Sequence, residues 1–230
     1  MSAPGFAQRV LDQRLQDLAA VVGRHVVHRR DEMVMRIDDA GVHAPPPLPG
    51  MPQGLVTALA GIGEDLWIGS VEGASVLRGD RVERIDLDAA GGGARTVFGF
   101  REVDGAVWIS TDRGLYRYRD GQVARVGFEQ GLPVDAVFQL VPDRHGEAWI
   151  SSNRGVIRTV MAELEAVADG RRRLLEKVRR HTESDGLPNA QGNGSSSPPA
   201  ILRGDGTLWV ATAGGVAMAD PARVEALVAL

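Results

Sequence analysis

Three tryptophans stand in nearly the same local sequence, Leu66-Trp67-Ile68-Gly69-Ser70, Val107-Trp108-Ile109-Ser110-Thr111 and Ala148-Trp149-Ile150-Ser151-Ser152, each 41 residues from the next. A fixed period of this size marks a chain built from stacked copies of one supersecondary unit, none of which can bury its apolar faces alone. The fourth tryptophan, in Leu208-Trp209-Val210-Ala211-Thr212, lies 60 residues beyond Trp149, so the unit between them carries 19 extra residues. One period before Trp67 falls Val26, in His25-Val26-Val27-His28-Arg29, which reads as a degenerate first copy.

Other positions keep step with the tryptophan. Gly105, Gly146 and Gly206 stand three residues before it, with Gly23 in the degenerate copy and Glu64 as the exception; Gly73, Gly114, Gly155 and Gly215 stand six residues after it. Eight residues before it the apolar set Leu18, Leu59, Phe100, Val141 and Ile201 recurs. One unit therefore reads as a strand around that apolar position, a turn such as Asp104-Gly105, and a strand through the tryptophan. A turn at the later glycine, a third strand such as 114–118 and a more polar fourth strand such as 122–126 complete it. Glycine suits both corners because tight hairpin turns need positive φ.

Four antiparallel strands in about 41 residues is the pattern of a β-propeller blade. The expected fold is all-β, a propeller or partial propeller of about five four-stranded blades, with the tryptophan filling the space between blades. A composition of 29 Gly and 12 Pro suits many short elements and tight corners. The organisation expected is an N-terminal segment at 1–14, a degenerate first blade and proline-rich link at 15–54, blades over 55–221, and a C-terminal tail at 222–230. The link, from Ala40 to Gly54 with Pro45-Pro46-Pro47-Leu48-Pro49-Gly50, should be extended and exposed. The 19 extra residues fall at about 160–182, where Val160 to Ala168 has helix-forming composition before the basic run Arg171 to Arg180. That run reads as a solvated face.

Charge and residue usage narrow the function. A net charge of −4 gives no general electrostatic reason to bind nucleic acid or anionic lipid. With no Cys, thiol nucleophiles, disulfides and zinc knuckles are excluded, leaving five His and the carboxylates as metal ligands. His25 and His28, three apart on a strand, fall on opposite faces, and His43, His145 and His181 are isolated, so neither metal nor cofactor is expected. The N-terminal residues lack the basic start and apolar run of a signal peptide, and no stretch of about 18 apolar residues is present to cross a bilayer. On that ground the chain is not expected to export or anchor itself, as for a cytoplasmic or truncated product. No Gly-x-Ser-x-Gly elbow, His-Glu-x-x-His or phosphate loop occurs, and Gly91-Gly92-Gly93-Ala94-Arg95 reads as an inter-blade loop.

The phrases around the tryptophans, above all Trp108-Ile109-Ser110-Thr111-Asp112-Arg113-Gly114-Leu115-Tyr116-Arg117-Tyr118, resemble the two-component regulator propeller repeat. So do the links Gln130-Gly131-Leu132-Pro133 and Ser184-Asp185-Gly186-Leu187-Pro188. The resemblance runs from about Leu55 to Pro221 and reaches Val26 weakly. It implies a periplasmic, ligand-binding sensor propeller whose signal passes to an output module, typically a histidine kinase or a diguanylate cyclase. No such module lies within the 230 residues, and the seven blades usual in that family would need about 287 at this period, so the stretch resembles the last blades only.

The leading expectation is thus a non-enzymatic sensor module of a bacterial signalling system, binding a polar or glycan ligand or relaying a conformational change to an output domain or partner protein. The alternatives are a protein-interaction scaffold and, next, a propeller lyase or hydrolase. A ligand site should lie where links converge at one mouth of the channel. Asn189, Gln191 and Asn193 are the first candidates there, with their neighbouring Ser195, Ser196 and Ser197, because amides donate and accept several hydrogen bonds. Arg95, Arg101 and Asp135 are assigned to comparable places in earlier links.

Overall fold

The computed structural model describes residues 49–52 and 54–223 in full, with the strand backbones within 19–43 and at 228–229. The molecule is a β-propeller array of four-stranded antiparallel sheets with one α-helix. Blades described with their side chains, the last strand of the fourth excepted, number four, where about five were expected. They comprise β5–β8 (Val56–Ile62, Asp65–Ser70, Gly73–Arg78, Arg81–Ile85), β9–β12 (Val97–Val103, Ala106–Thr111, Gly114–Arg119, Gln122–Val126), β13–β16 (Val137–Pro142, Glu147–Ser152, Gly155–Val160, Arg179–His181) and β17–β20 (Ala200–Leu202, Leu208–Thr212, Gly215–Ala219, Val228–Ala229). Four earlier strands, β1–β4 (Ala19–Val22, His25–Arg30, Met33–Asp38, Gly41–His43), pair in the same order, and β1 runs beside β5. The side chains of His25, His28 and His43, all of residues 1–18 and the prolines Pro45 to Pro47 lie outside the described residues.

Strand bounds move several expected borders. Gly41–His43 pairs with β3 as a strand, so the crossing begins later than Ala40. Val228–Ala229 pairs with β19, placing two residues of the expected tail in the last blade. Arg179–His181 pairs with β15, so the end of the basic run is the fourth strand of its blade. The extra residues therefore sit between the third and fourth strands.

One packing rule is repeated. Trp67 clusters with Val97, Phe100, Val107, Ile109 and Tyr116 of the following blade. Trp108 does so with Val137, Leu140, Ala148, Ile150 and Ile157, and Trp149 with Ala200, Leu208, Val210, Ala217 and Ala219. Each blade thus lays its tryptophan face on the opposite face of the next, and Trp67, Trp108 and Trp149 are buried while Trp209 is half-buried.

The apolar set eight residues before the tryptophan is not one structural position. Two-residue turns join the first two strands at Gly63-Glu64 and Asp104-Gly105, so Trp67 opposes Ala60 and Trp108 opposes Arg101. In the next two blades the turn is one residue longer, and Trp149 opposes Val141 while Trp209 opposes Ile201. Since side chains alternate faces along a strand, that single residue puts Leu59 and Phe100 on one side and Val141 and Ile201 on the other.

The second corner follows from a hydroxyl three residues after the tryptophan. Ser70, Thr111, Ser152 and Thr212 each donate through the side-chain oxygen to the carbonyl of Gly73, Gly114, Gly155 or Gly215, at 2.7–3.2 Å. The same oxygens accept from Glu72, Arg113, Arg154 and Gly214 N–H groups. The glycines have φ of 103–125°, a region closed to most side chains. At Gly155 a Cβ would also stand 2.2 Å from the His181 carbonyl oxygen.

The inserted segment is a clamp. Helix α1 (Met161–Ala168) brings Leu164 and Val167 onto the cluster around Trp108. Glu165 accepts from Trp108 Nε1 at 3.1 Å and from Arg117 at 2.5 Å, and Arg117 also pairs with Asp169 at 2.6 Å. Glu163 is buried; burial raises its carboxyl pKa, but the Lys177 and Glu176 N–H groups outweigh that and hold it below its usual value.

Candidate functional site

The strands β5, β9, β13 and β17 border a cavity of about 260 Å³. Its walls include Leu59, Phe98, Arg101, Gln139, Ser197 and Ile201.

Phe98 and Phe138 come from β-bulges. Opposite the end of the tryptophan strand, the ladder steps from Gly99 to Val97 and from Gln139 to Val137, so one residue of each inner strand is unpaired. A bulge re-aims the side chain it leaves unpaired. The two rings meet edge to face with centroids 4.9 Å apart. Phe138 is buried under the link, where Cβ atoms at Gly192 and Gly194 would reach within 3.3 and 2.7 Å of its ring; Phe98 is half-exposed.

Two side chains lock neighbouring inner strands. Thr57 Oγ1 donates to the Val97 carbonyl at 2.5 Å. Gln139 Nε2 donates to the carbonyls of Phe100 and Leu140, and only glycine at 99 leaves room for its Oε1, which would be 2.5 Å from a Cβ there. The buried amide is thus consumed in holding the wall. Arg101 is exposed, and its side chain has no hydrogen bond or ion pair among the described residues. A cation and an aromatic ring lining one cavity with a mixed polar and apolar wall fit a ligand rich in hydroxyl or carboxylate oxygens.

The sequence candidates do not converge. Arg101 lies within β9 rather than in a link, and of the six it is the one bordering this cavity. Asn189 Oδ1 accepts from Gln191 N–H and Asn193 Oδ1 from Ser195 N–H, so these amides cap their own turns. Asn193 N–H donates to Ala211 O and Gln191 O accepts from Ala213 N–H, tying the link to the last blade. Arg95 and Asp135 are exposed; the Arg95 N–H binds Asp112 Oδ1, and the Asp135 carbonyl accepts from Gly114 N–H at 2.7 Å. The aromatic pair was missed, though its signal was present: Phe98 and Phe138 stand 40 residues apart near the start of their strands.

Among the described residues no three or more His, Asp or Glu side chains group as metal ligands would, and no helix is long and apolar enough to cross a membrane. No protein-family model matches this chain, and no curated protein matches it. Solved structures do. The extracellular domain assigned to a hybrid two-component system, BT3049 of B. thetaiotaomicron, has a TM-score of 0.70 at 17% identity, over 89% of this chain. This chain spans 28% of the length of that one. Virginiamycin B lyase from Staphylococcus aureus matches at TM-score 0.60 and 13% identity, over 92% of this chain and 69% of its own. A gluconolactonase from Xanthomonas campestris matches at 0.60 and 14%, over 91% and 74%. At such identities the likeness shows the fold, a β-propeller shared by sensor domains and enzymes alike.

Proposed function

We propose that this chain is a non-enzymatic sensor propeller of a bacterial signalling system, resembling the two-component regulator propellers. It works outside the cytoplasm and holds an oxygen-rich ligand such as a glycan in the central channel. The observation that carries this reading is the likeness to the extracellular domain of a two-component system over 89% of the chain. Arg101 supplies the cation and Phe98 the ring for a sugar face. Because Thr57 and Gln139 couple the inner strands, a ligand that moves one strand moves its neighbours, which is the means of passing a signal to an output module. Strands β1–β4 form a fifth blade, supported by their pairing order and by β1 lying beside β5.

The test is a thermal-shift screen of the purified chain with neutral and acidic mono- and oligosaccharides, followed by absorbance of the mixtures for turnover. The reading expects at least one sugar to raise the midpoint, loss of that shift in Arg101→Ala, and its retention in Asn189→Ala. A shift lost only in Asn189→Ala moves the site to the link. A panel with no shift, or a sugar that is converted, contradicts the proposal.

A further inference from the structure

The sequence holds three asparagines, Asn153, Asn189 and Asn193, and only the last is followed by glycine. An asparagine side chain is chemically labile, because the main-chain nitrogen of the next residue can attack its carbonyl carbon and close a five-membered ring. Glycine in that next place hinders the approach least, having no Cβ and the freest backbone. Asn193 is also exposed, in the link between β16 and β17.

Hydrogen bonding separates the three sites further. The nitrogen that would attack Asn153 belongs to Arg154 and is held by Ser152 Oγ at 3.1 Å; the one beside Asn189 belongs to Ala190 and is held by Glu183 Oε1 at 2.6 Å. Gly194 N–H makes no hydrogen bond among the described residues. At the same time Asn193 Oδ1 accepts from Ser195 N–H at 3.0 Å, a donor placed to stabilise the negative charge that forms on that oxygen during attack. Of the three, only Asn193 combines an unheld nucleophile with a polarised carbonyl.

We propose that Asn193 deamidates spontaneously in the folded protein. The Gly194 nitrogen gives its proton to a solvent base and bonds to Asn193 Cγ, the Cγ–Nδ2 bond breaks, and the amide group leaves as ammonia after taking a proton from water. Water then opens the cyclic imide at either carbonyl, leaving aspartate or isoaspartate. Both put a new negative charge on the link, and isoaspartate adds a methylene to its main chain. That change falls where the link is tightest: Asn193 N–H is bonded to Ala211 O, and a Cβ on Gly194 would lie 2.7 Å from the Phe138 ring. Conversion loosens the cover over Phe138, and Ser197 of the same link borders the cavity.

The test is ageing of the purified chain in mildly alkaline buffer at physiological temperature, followed by peptide mass spectrometry over a time course. The mass gain of amide-to-acid conversion should build up at residue 193 several-fold faster than at Asn189, which lies in the same tryptic peptide. Part of the product should be isoaspartyl, labelled by an isoaspartate methyltransferase. Asn193→Gln, whose longer side chain closes its ring far more slowly, should lose the gain. Hydrogen exchange over 191–199 should rise in the aged protein and stay level in Asn193→Gln aged alongside it. A folded chain in which residue 193 keeps its amide, or in which Asn189 converts as fast, overturns the inference. Exchange over 191–199 that is unchanged after conversion overturns the loosening of the cover.

Discussion

Trp108 and Trp209 occupy the same place in the repeat but differ in surroundings, so the same substitution should cost different amounts. Trp108→Ala empties a fully buried site and should cost about 3–5 kcal/mol. Trp209→Ala, half-buried already, should cost about 1–2 kcal/mol in the monomer. Urea unfolding at low protein concentration compares them, and equal losses would contradict the packing rule. His181 makes a second prediction. Its ring is buried, stacked 5.9 Å from Trp149, and neither nitrogen has a hydrogen-bond partner among the described residues. Burial, with the nearby Arg179 and Arg158 charges, holds its pKa below the ordinary 6.5, although Asp185 acts the other way. The folded chain then binds fewer protons than the unfolded one below pH 6.5. Its stability is full above that pH and is lost progressively as the pH falls toward the depressed folded value. His181→Phe removes this contribution, so the wild-type and variant stabilities should diverge from pH 7 down to 5; parallel curves would contradict the assignment. The repeat gave no sign of a buried His181, because burial there depends on the insertion and on the neighbouring blade.

Among the elements, α1 has the clearest energetic role. Glu165 accepts from the indole of Trp108 and pairs with Arg117, whose Nε is buried without a partner. Glu165→Ala leaves the buried Trp108 indole N–H without its acceptor and Arg117 with Asp169 alone, and should lower stability by about 1–3 kcal/mol, with hydrogen exchange accelerating over 161–178. Unchanged exchange there would show that α1 is held by Leu164 and Val167 alone. At the hairpins, Gly155→Ala forces a Cβ into the His181 carbonyl at positive φ and should cost well over 1 kcal/mol, whereas Gly146→Ala, with open space at its Cβ, meets backbone strain alone. Thermal midpoints rank the two. The helix and most strands were legible as composition and period. The swap of faces at Val141 and Ile201 was not, since counting back from the tryptophan cannot see a turn one residue longer.

Across the whole molecule, the 41-residue period carries the fold because blades differ in detail but share the packing of a tryptophan face on the apolar opposite face of the next blade. That much was legible in the sequence. Of the residues named from the sequence, Arg101 borders the cavity between the inner strands, Asn189 and Asn193 spend their side-chain oxygens on local turns, and the aromatic pair depends on bulges that propensity does not encode. The proposal that β1–β4 begin the series of blades is tested most directly by hydrogen-exchange mass spectrometry on the intact chain. The account predicts slow exchange at the second strand of each sheet, His25–Arg30, Asp65–Ser70, Ala106–Thr111, Glu147–Ser152 and Leu208–Thr212, with fast exchange at Gly63-Glu64, Asp104-Gly105 and Gly204 to Gly206. Protection that ignores this period, or free exchange throughout 19–43, would contradict it.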